Sequence, residues 1–133
     1  RKGLAVFKAF VKAQGGSTAW IGKRPLTNAP GVYTAVCTDA GWISAVDGRG
    51  LGEIAMSMGA GRARKEDAID PMVGIRLYKE LGDAIRPGEP IFTLYGKSDA
   101  DLPALAQQAA DLITVTPEKP VHIDPVVSEI ITE

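Results

Sequence analysis

The amino-acid sequence predicts an α+β domain with a mixed or mainly antiparallel sheet and flanking helices. The predicted elements run helix, strands, helix, strands, helix, strand, without the regular alternation of strand and helix that is typical of parallel sheets. Glycine, proline and aspartate turn signals separate short runs rich in β-branched residues. A chain of 133 residues is near the usual size of one domain and can bury a hydrophobic core.

The first predicted element is a helix over about residues 3–14. Leu4, Phe7 and Val11 recur at the spacing of one helical face, and Gly15 follows as a stop. The next segment contains prolines and glycines, which favour an irregular connector. We therefore expect a helix and a connector before the first strand.

Two strands are expected over about residues 32–38 and 42–46, where β-branched and aromatic residues are frequent. The tripeptide Asp39-Ala40-Gly41 separates them and is typical of a short hairpin connection. The pattern therefore predicts that these two strands form a hairpin. Cys37 would lie in the first strand as a small packed side chain rather than a nucleophile, because no base partner accompanies it.

A second helix is predicted over about residues 51–58, where apolar side chains form one stripe. Asp47 is placed to cap its start, and Gly59 is placed to end it. Strands are then expected over about 74–78 and 90–95. Together these segments predict a helix followed by a strongly turned β unit.

A third helix is predicted over about residues 99–112, with Ser98 as its cap and Pro103 in its first turn. Residues 113–116 follow as a final strand. The remaining tail mixes three prolines with β-branched residues, and no regular element is predicted there.

Composition excludes several classes of protein. Lys plus Arg (15) nearly balances Asp plus Glu (16), so no strong field attracts nucleic acid or an anionic membrane. No apolar run approaches the length of about 18 residues that a membrane span requires. Cys37 is the only cysteine, which rules out an internal disulfide and favours a reducing compartment. We expect a cytoplasmic protein.

A glycine-rich segment, residues 47–53, follows a predicted strand and opens a predicted helix. This arrangement superficially resembles a loop that offers backbone N–H groups to phosphate. A dinucleotide fingerprint requires glycine at its sixth position, which Glu53 occupies here, and that negative charge would face a pyrophosphate. We expect the segment to have a structural role.

The metal-ligating residue types are scarce. His122 is the single histidine and is expected at the surface, while Cys37 is the single thiol. A structural zinc site needs about four nitrogen or sulfur ligands, so metal binding is not supported.

The densest charge cluster spans residues 62–70 and mixes arginine and lysine with glutamate and aspartate. Isolated arginines after a glycine turn can bind phosphate, and Asp67 with Asp70 can suggest a pair of acid and base carboxylates. Because both signs lie close together, ion pairing that fixes a loop is the favoured interpretation.

The most informative stretch is Lys79 to Ile91, where Gly-Asp and Gly-Glu turn signals flank the apolar pair Ala84-Ile85. It resembles the hammerhead turn of biotinyl and lipoyl carrier domains. Those carriers present an acceptor lysine at the tip of a hairpin, often between methionines or after aspartate. This chain has neither Met-Lys-Met nor Asp-Lys-Ala.

Three landmarks line up along the chain. They are Ala13-Gln14-Gly15-Gly16, Met58-Gly59-Ala60-Gly61-Arg62 and Asp70-Pro71-Met72-Val73-Gly74-Ile75. Together they resemble the C-terminal region of the pyrimidine-nucleoside (thymidine) phosphorylase family, from the first helix to about Val115. The resemblance implies an α/β hammerhead fold with a barrel-sandwich-like hairpin. Gly59 and Gly61 are then expected to provide positive φ where the second helix stops.

The resemblance also implies an activity for the full-length protein. Such enzymes catalyse reversible phosphorolysis of thymidine, uridine or deoxyuridine to free base and pentose 1-phosphate, with phosphate as co-substrate. Their phosphate and pyrimidine motifs lie upstream of the matched region. No catalytic, cofactor-binding or metal-binding residue is therefore assigned to this chain, which is expected to be inactive alone.

The expected organisation has three parts: a helical connector over 1–30, the hammerhead domain over 31–117, and a tail over 118–133 that packs on the domain. The expected partner is the rest of the same polypeptide, and the family is usually homodimeric through its helical domain. Two alternatives stay open, a carrier or small-ligand module that shares the hammerhead and a free-standing interaction domain.

Overall fold

The computed structural model describes residues 2–22, 29–62, 64–98, 100–121 and 129–130. Within them the chain forms three α-helices and two three-stranded antiparallel sheets, which confirms the α+β class. The elements are α1 (Lys2–Ala13), β1 (Gly31–Val36), β2 (Gly41–Val46), α2 (Gly48–Ala55), β3 (Gly74–Leu77), β4 (Ala84–Ile85), β5 (Pro90–Gly96), α3 (Leu102–Ala110) and β6 (Ile113–Thr116). A π-helical turn, Met56–Ala60, follows α2, and Gly59 within it has non-helical dihedral angles. None of the helices in these ranges is long and apolar enough to cross a bilayer.

Helix α1 ends in a Schellman motif. Gly15 has φ 76°, and its N–H donates to the carbonyl oxygen of Lys12 at 2.9 Å. The N–H of Gly16 donates to the carbonyl oxygen of Val11, also at 2.9 Å. These bonds satisfy carbonyl groups that a helix end leaves free, and Gly15 adopts the left-handed conformation at little steric cost.

Sheet A has the strand order β1-β5-β3, with both pairings antiparallel. Thr93 in the central strand β5 is paired with Thr34 in β1 and with Arg76 in β3. Sheet B has the order β4-β2-β6, and β6 returns antiparallel to β2. The strands expected over 74–78 and 113–116 are confirmed, with β3 ending one residue earlier.

The predicted hairpin between β1 and β2 is wrong, because the two strands lie in different sheets. The chain turns at residues 37–40, but β1 pairs with β5 and β2 pairs with β4 and β6. Cys37 lies immediately after β1, and its N–H donates to the carbonyl oxygen of Glu89 at 2.9 Å. A turn signal indicates where a chain reverses, whereas the strand partner depends on which surfaces are buried together.

Two apolar clusters form the core. The larger one lies between sheet A and helices α2 and α3; its buried members are Leu51, Met58, Val73, Phe92, Leu94, Leu102, Ala106 and Ala109. The smaller one joins Cys37, Ile43 and Ile85 beneath sheet B. Val46, Ile91 and Ile113 contact both clusters. The two sheets therefore share a continuous apolar interior.

Asp47 caps α2 as predicted, since its Oδ1 atom accepts a hydrogen bond from the N–H of Gly50 at 3.0 Å. Gly59 has φ 108°, which confirms its expected backbone role. The same expectation for Gly61 is wrong, because that residue is extended with φ −140°. A side chain at Gly61 would instead approach Met56, with a Cβ only 3.2 Å from Cγ of that methionine.

Helix α3 begins later than predicted. Its cap is Asp101, whose Oδ1 atom accepts a hydrogen bond from the N–H of Ala104 at 3.2 Å. The predicted cap, Ser98, lies three residues upstream. Pro103 is in the first turn as expected. Serine and aspartate are both favoured at the cap position. Asp101 directly precedes the buried Leu102, which is the first residue of the helix, whereas Ser98 lies too far upstream to cap it.

Candidate functional site

Two β-turns with the same hydrogen-bond pattern flank strand β4. In the first, the N–H of Asp83 donates to the carbonyl oxygen of Glu80 at 3.0 Å, and the Asp83 carboxylate accepts from the N–H of Glu80 at 2.8 Å. In the second, Glu89 and Arg86 exchange the equivalent bonds at 3.0 and 3.2 Å. We call residues 79–91 the turn pair.

Glycine makes both turns possible. Gly82 has φ 87° and Gly88 has φ 81°, and an L side chain is strained in this region. The turns also attach to separate strands, because the N–H of Gly82 donates to Ile43 in β2 and that of Gly88 donates to Cys37 after β1. The turn pair therefore connects the two sheets.

Lys79 joins the two turns. Its Nζ atom donates to Oε2 of Glu89 at 2.8 Å and to the carbonyl oxygen of Ala84 at 3.0 Å. The side chain of Lys79 is 21% exposed and that of Glu89 is 38% exposed. The hydrogen bond from Lys79, followed by that from the Arg86 N–H, lowers the pKa of Glu89 below its ordinary value of 4.5.

A chain of hydroxyl groups crosses sheet A. The Oγ1 atom of Thr93, which is fully buried in the central strand, lies 2.8 Å from Oγ1 of Thr34 and 3.2 Å from Oη of Tyr78. The guanidinium group of Arg76 lies 4.8 Å from the centre of the Tyr78 ring. The sequence pattern did not indicate this cluster. The only signal was a threonine at an otherwise apolar position of β5, and only the strand register reveals its partners.

The glycine-rich segment at the start of α2 is already occupied by its own side chains. The Asp47 carboxylate accepts the N–H of Gly50, and a carboxylate at a helix start repels a bound phosphate. Glu53 lies one turn later and forms an exposed ion pair with Arg49 at 3.0 Å. The geometry therefore favours the structural role that we expected for this segment.

Cys37 belongs to the core, as expected. Its side chain is buried against Ile43 and Ile85, and its thiol donates to the carbonyl oxygen of Asp39 at 2.9 Å. No group of three or more His, Cys, Asp or Glu side chains that could hold a metal ion occurs in the described ranges. His122 lies outside the described residues.

The charged loop is fixed at least partly by bonds from carboxylates to the backbone. Asp67 accepts the N–H of Arg64 at 2.7 Å, and Asp70 accepts the N–H of Met72 at 2.9 Å. The N–H of Asp70 also donates to the carbonyl oxygen of Gly59, which ties the loop to the π-helical turn. Asp67 and Asp70 are thus employed in holding the loop, while the expected ion pairing within it stays a prediction.

An open cleft of about 400 Å³ lies between α2 and α3. It is lined by Gly50, Glu53, Ile54, Ser57, Gln108 and Leu112. The Ser57 hydroxyl donates back to the carbonyl oxygen of Ile54 at 2.7 Å, and none of the lining side chains is cationic. The cleft therefore offers little to hold a phosphate or nucleotide anion.

These observations define the class of protein: an α+β domain whose described polar groups mainly cap helices, close turns and link sheets. The family model for the pyrimidine nucleoside phosphorylase C-terminal domain matches residues 42–116, which is more than half of the chain. The match begins in β2 and stops at the last residue of β6. The chain therefore belongs to this family.

Individual relatives agree with the family match. The chain is 40% identical over 99 residues to a pyrimidine-nucleoside phosphorylase of Bacillus subtilis, which covers 74% of the chain and 23% of the relative. It is 36% identical over 97 residues to the enzyme of that name from Geobacillus stearothermophilus, covering 72% of the chain and 22% of the relative. A thymidine phosphorylase of Agrobacterium fabrum is 27% identical over 121 residues, which cover 90% of the chain and 28% of that protein. The chain thus spans about a quarter of the length of these relatives.

Proposed function

We propose that this chain is the C-terminal structural domain of an enzyme that catalyses reversible phosphorolysis of pyrimidine nucleosides. In that reaction phosphate attacks the anomeric carbon of thymidine, uridine or deoxyuridine, and the products are the free base and a pentose 1-phosphate. The observation that carries the proposal is the family match over residues 42–116, in a chain that spans only about a quarter of its relatives.

The 133 residues alone are proposed to be inactive. Phosphorolysis needs cationic or N–H donors around phosphate and a donor for the departing base, held together in one closed cleft. The cleft between α2 and α3 is open and has no cationic lining, and the N-terminus of α2 is capped by Asp47. We therefore propose that phosphate binds to the rest of the whole enzyme, as a co-substrate, and not to this chain. The proposed partner of this chain is the remainder of the same polypeptide.

The turn pair is proposed to be the hammerhead of the domain, with a barrel-sandwich-like hairpin. The repeated turns at Gly82 and Gly88 and their attachment to both sheets support this assignment. We propose domain limits of 31–117, with residues 1–30 as a connector and 118–133 as a tail on the domain. Strand β1 begins at Gly31 and β6 ends at Thr116, which agrees with the central limits.

The domain is proposed to support the catalytic part while the active-site cleft opens and closes. Such a role needs a rigid body, and the turn pair supplies one by linking strands of both sheets through main-chain bonds. The carrier alternative is disfavoured because Lys79, the only lysine of the turn pair, is 21% exposed and is held by Glu89 and Ala84. An acceptor lysine must instead be free at a hairpin tip.

We further propose a cytoplasmic homodimer for the whole enzyme. A single buried thiol suits a reducing compartment, and the dimer contact is assigned to the helical domain of the family rather than to this chain.

Two measurements test the proposed function. The full-length enzyme is expected to release free base from thymidine or uridine only with phosphate present, whereas the purified 133-residue chain should show no release above a host-enzyme control. Deleting residues 70–95 from the full-length enzyme should lower both its melting temperature and its activity. Nucleoside cleavage by the short chain, or lost activity with an unchanged melting temperature, would contradict the proposal.

A further inference from the structure

Helix α1 exposes large apolar side chains along one side. None of its described residues is buried, and Phe7 and Phe10 are 43% and 60% exposed. Val6 is 69% exposed and Leu4 is 49% exposed. Four such residues on one helix of twelve make a contiguous apolar surface, which a free-standing protein rarely leaves in water.

Helix α1 is amphipathic. At about 100° per residue, Leu4, Phe7 and Phe10 fall on one stripe, while Lys8 and Lys12 lie off it. Trp20, which follows the helix, meets the ring of Phe7 edge-on with centroids 6.2 Å apart. We define the α1 face as the surface formed by the exposed apolar residues of the helix and its following turn. Its members are Leu4, Val6, Phe7, Phe10 and Trp20.

The energetics of α1 call for a partner. An isolated helix shorter than about 12–15 residues is marginal in water, and helices in proteins are stabilised mainly by burying an apolar face. The Schellman motif at Gly15 fixes where α1 ends but buries none of its stripe. Aromatic side chains such as Phe10 and Trp20 are also the types that carry most binding energy once they are desolvated.

Sequence coverage indicates where that partner lies. Residues 42–116 match the C-terminal domain model, so α1 precedes the matched domain. The match to the Agrobacterium relative is 121 residues long. The chain from residue 42 to its last residue, 133, is shorter than that, so the match must include residues upstream of residue 42. The relative therefore also contains the upstream part of this chain. The match covers only 28% of that relative, so most of its polypeptide lies outside the matched region.

We infer that the α1 face docks on the polypeptide that precedes residue 1 in the full-length enzyme and completes an apolar core there. This occupant is favoured over a second copy of the chain. Residues joined covalently to the helix have a high effective concentration, whereas a second copy must lose translational and rotational freedom on binding. The inference rests on the proposed function in one respect: it requires that the chain is part of a longer polypeptide.

The test uses the full-length enzyme and two matched double variants. Phe7→Ser with Phe10→Ser removes the centre of the α1 face. Ala5→Ser with Ala9→Ser places two serines on the opposite side of the same helix and lowers helix propensity at least as much. We expect the first variant to lower the melting temperature clearly and the second to change it little. Equal effects would show that the apolar side is not buried and would overturn the inference.

Hydrogen exchange of the unmodified proteins gives a second reading that does not depend on a variant folding. Amides of residues 2–13 should exchange much more slowly in the full-length enzyme than in the 133-residue chain, since docking protects the helix. Equal exchange of these amides in the two proteins would overturn the inference. A full-length protein that protects α1 but lacks phosphorolysis would uphold this inference while refuting the proposed function.

Discussion

Lys79 and Glu89 hold the two turns of the turn pair together, with Nζ 2.8 Å from Oε2. The lysine also donates to the carbonyl oxygen of Ala84 in the strand between the turns. One ammonium group therefore satisfies acceptors in two elements that are separated along the chain. The pair lies at the surface, so its main effect is to fix geometry rather than to supply a large stabilising energy.

The acid sensitivity of the domain should respond to Glu89. Because the pKa of this carboxyl is lowered in the folded state, its stabilising effect is present at neutral pH and is lost as the pH falls through that lowered pKa, below 4.5. Glu89→Gln should therefore be less stable than the unmodified protein at neutral pH, and the difference should vanish in acid. Urea unfolding across this pH range measures it. Glu80→Gln, in the other turn, is the matched control and should lower stability at neutral pH less than Glu89→Gln does.

Phe92 should be among the most sensitive core positions, since it is fully buried in the central strand of sheet A. Phe92→Ala is expected to lower the free energy of unfolding by about 3–5 kcal/mol, because it removes buried surface and leaves a cavity. Val32→Ala, at a side chain 54% exposed on the edge strand, should cost no more than about 0.5 kcal/mol. Denaturant unfolding of both variants gives the comparison, and similar losses would mean that the edge strand is buried.

The start of α3 can be tested directly. Asp101→Ala should destabilise the domain by about 1 kcal/mol, because the N–H of Ala104 loses its acceptor. Ser98→Ala should change stability by no more than about 0.5 kcal/mol. Thermal unfolding of the two variants distinguishes the caps. If Ser98→Ala lowered the melting temperature more than Asp101→Ala, the helix would start after Ser98, as the sequence pattern predicts.

Two glycines near α2 should respond oppositely to alanine. Gly59 has φ 108°, so Gly59→Ala is expected to cost about 1–2 kcal/mol. Gly52 lies inside the helix with no atom within 4 Å of an added Cβ, so Gly52→Ala should stabilise by roughly 0.5–1 kcal/mol. Guanidinium unfolding checks both signs. If Gly59→Ala stabilised the protein, the left-handed conformation at that residue would be refuted.

Local sequence patterns predicted most elements of this fold. The apolar spacing of Leu4, Phe7 and Val11 indicated α1, and the observed helix ends one residue before the predicted limit. Asp47 marks the start of the second helix because its side chain accepts a hydrogen bond from the backbone. Gly59 marks the end because glycine adopts a positive φ. Such features involve residues within a few positions of each other, so the sequence contains everything that specifies them.

The candidate functional features were harder to predict because their partners are distant. The cluster of Thr34, Tyr78 and Thr93 joins residues that are up to 59 positions apart. Lys79 lies at the start of the turn signals over residues 79–91, but its bond to Glu89 depends on how the two turns fold back across β4. Asp67 was expected to pair with side-chain charges, and its bond to the N–H of Arg64 is a backbone contact that the charge pattern does not indicate.

The sequence by itself determined the α+β class, the places where helices and turns occur, and the resemblance that identifies the family. Only the tertiary structure decided that β1 and β2 separate into different sheets, despite the turn signal between them. The reason is that a turn is a local preference of a few residues, whereas strand pairing minimises exposed apolar surface over the whole domain. Burial of Phe92 and Leu94 in the central strand β5, between β1 and β3, outweighs the shorter connection from β1 to β2.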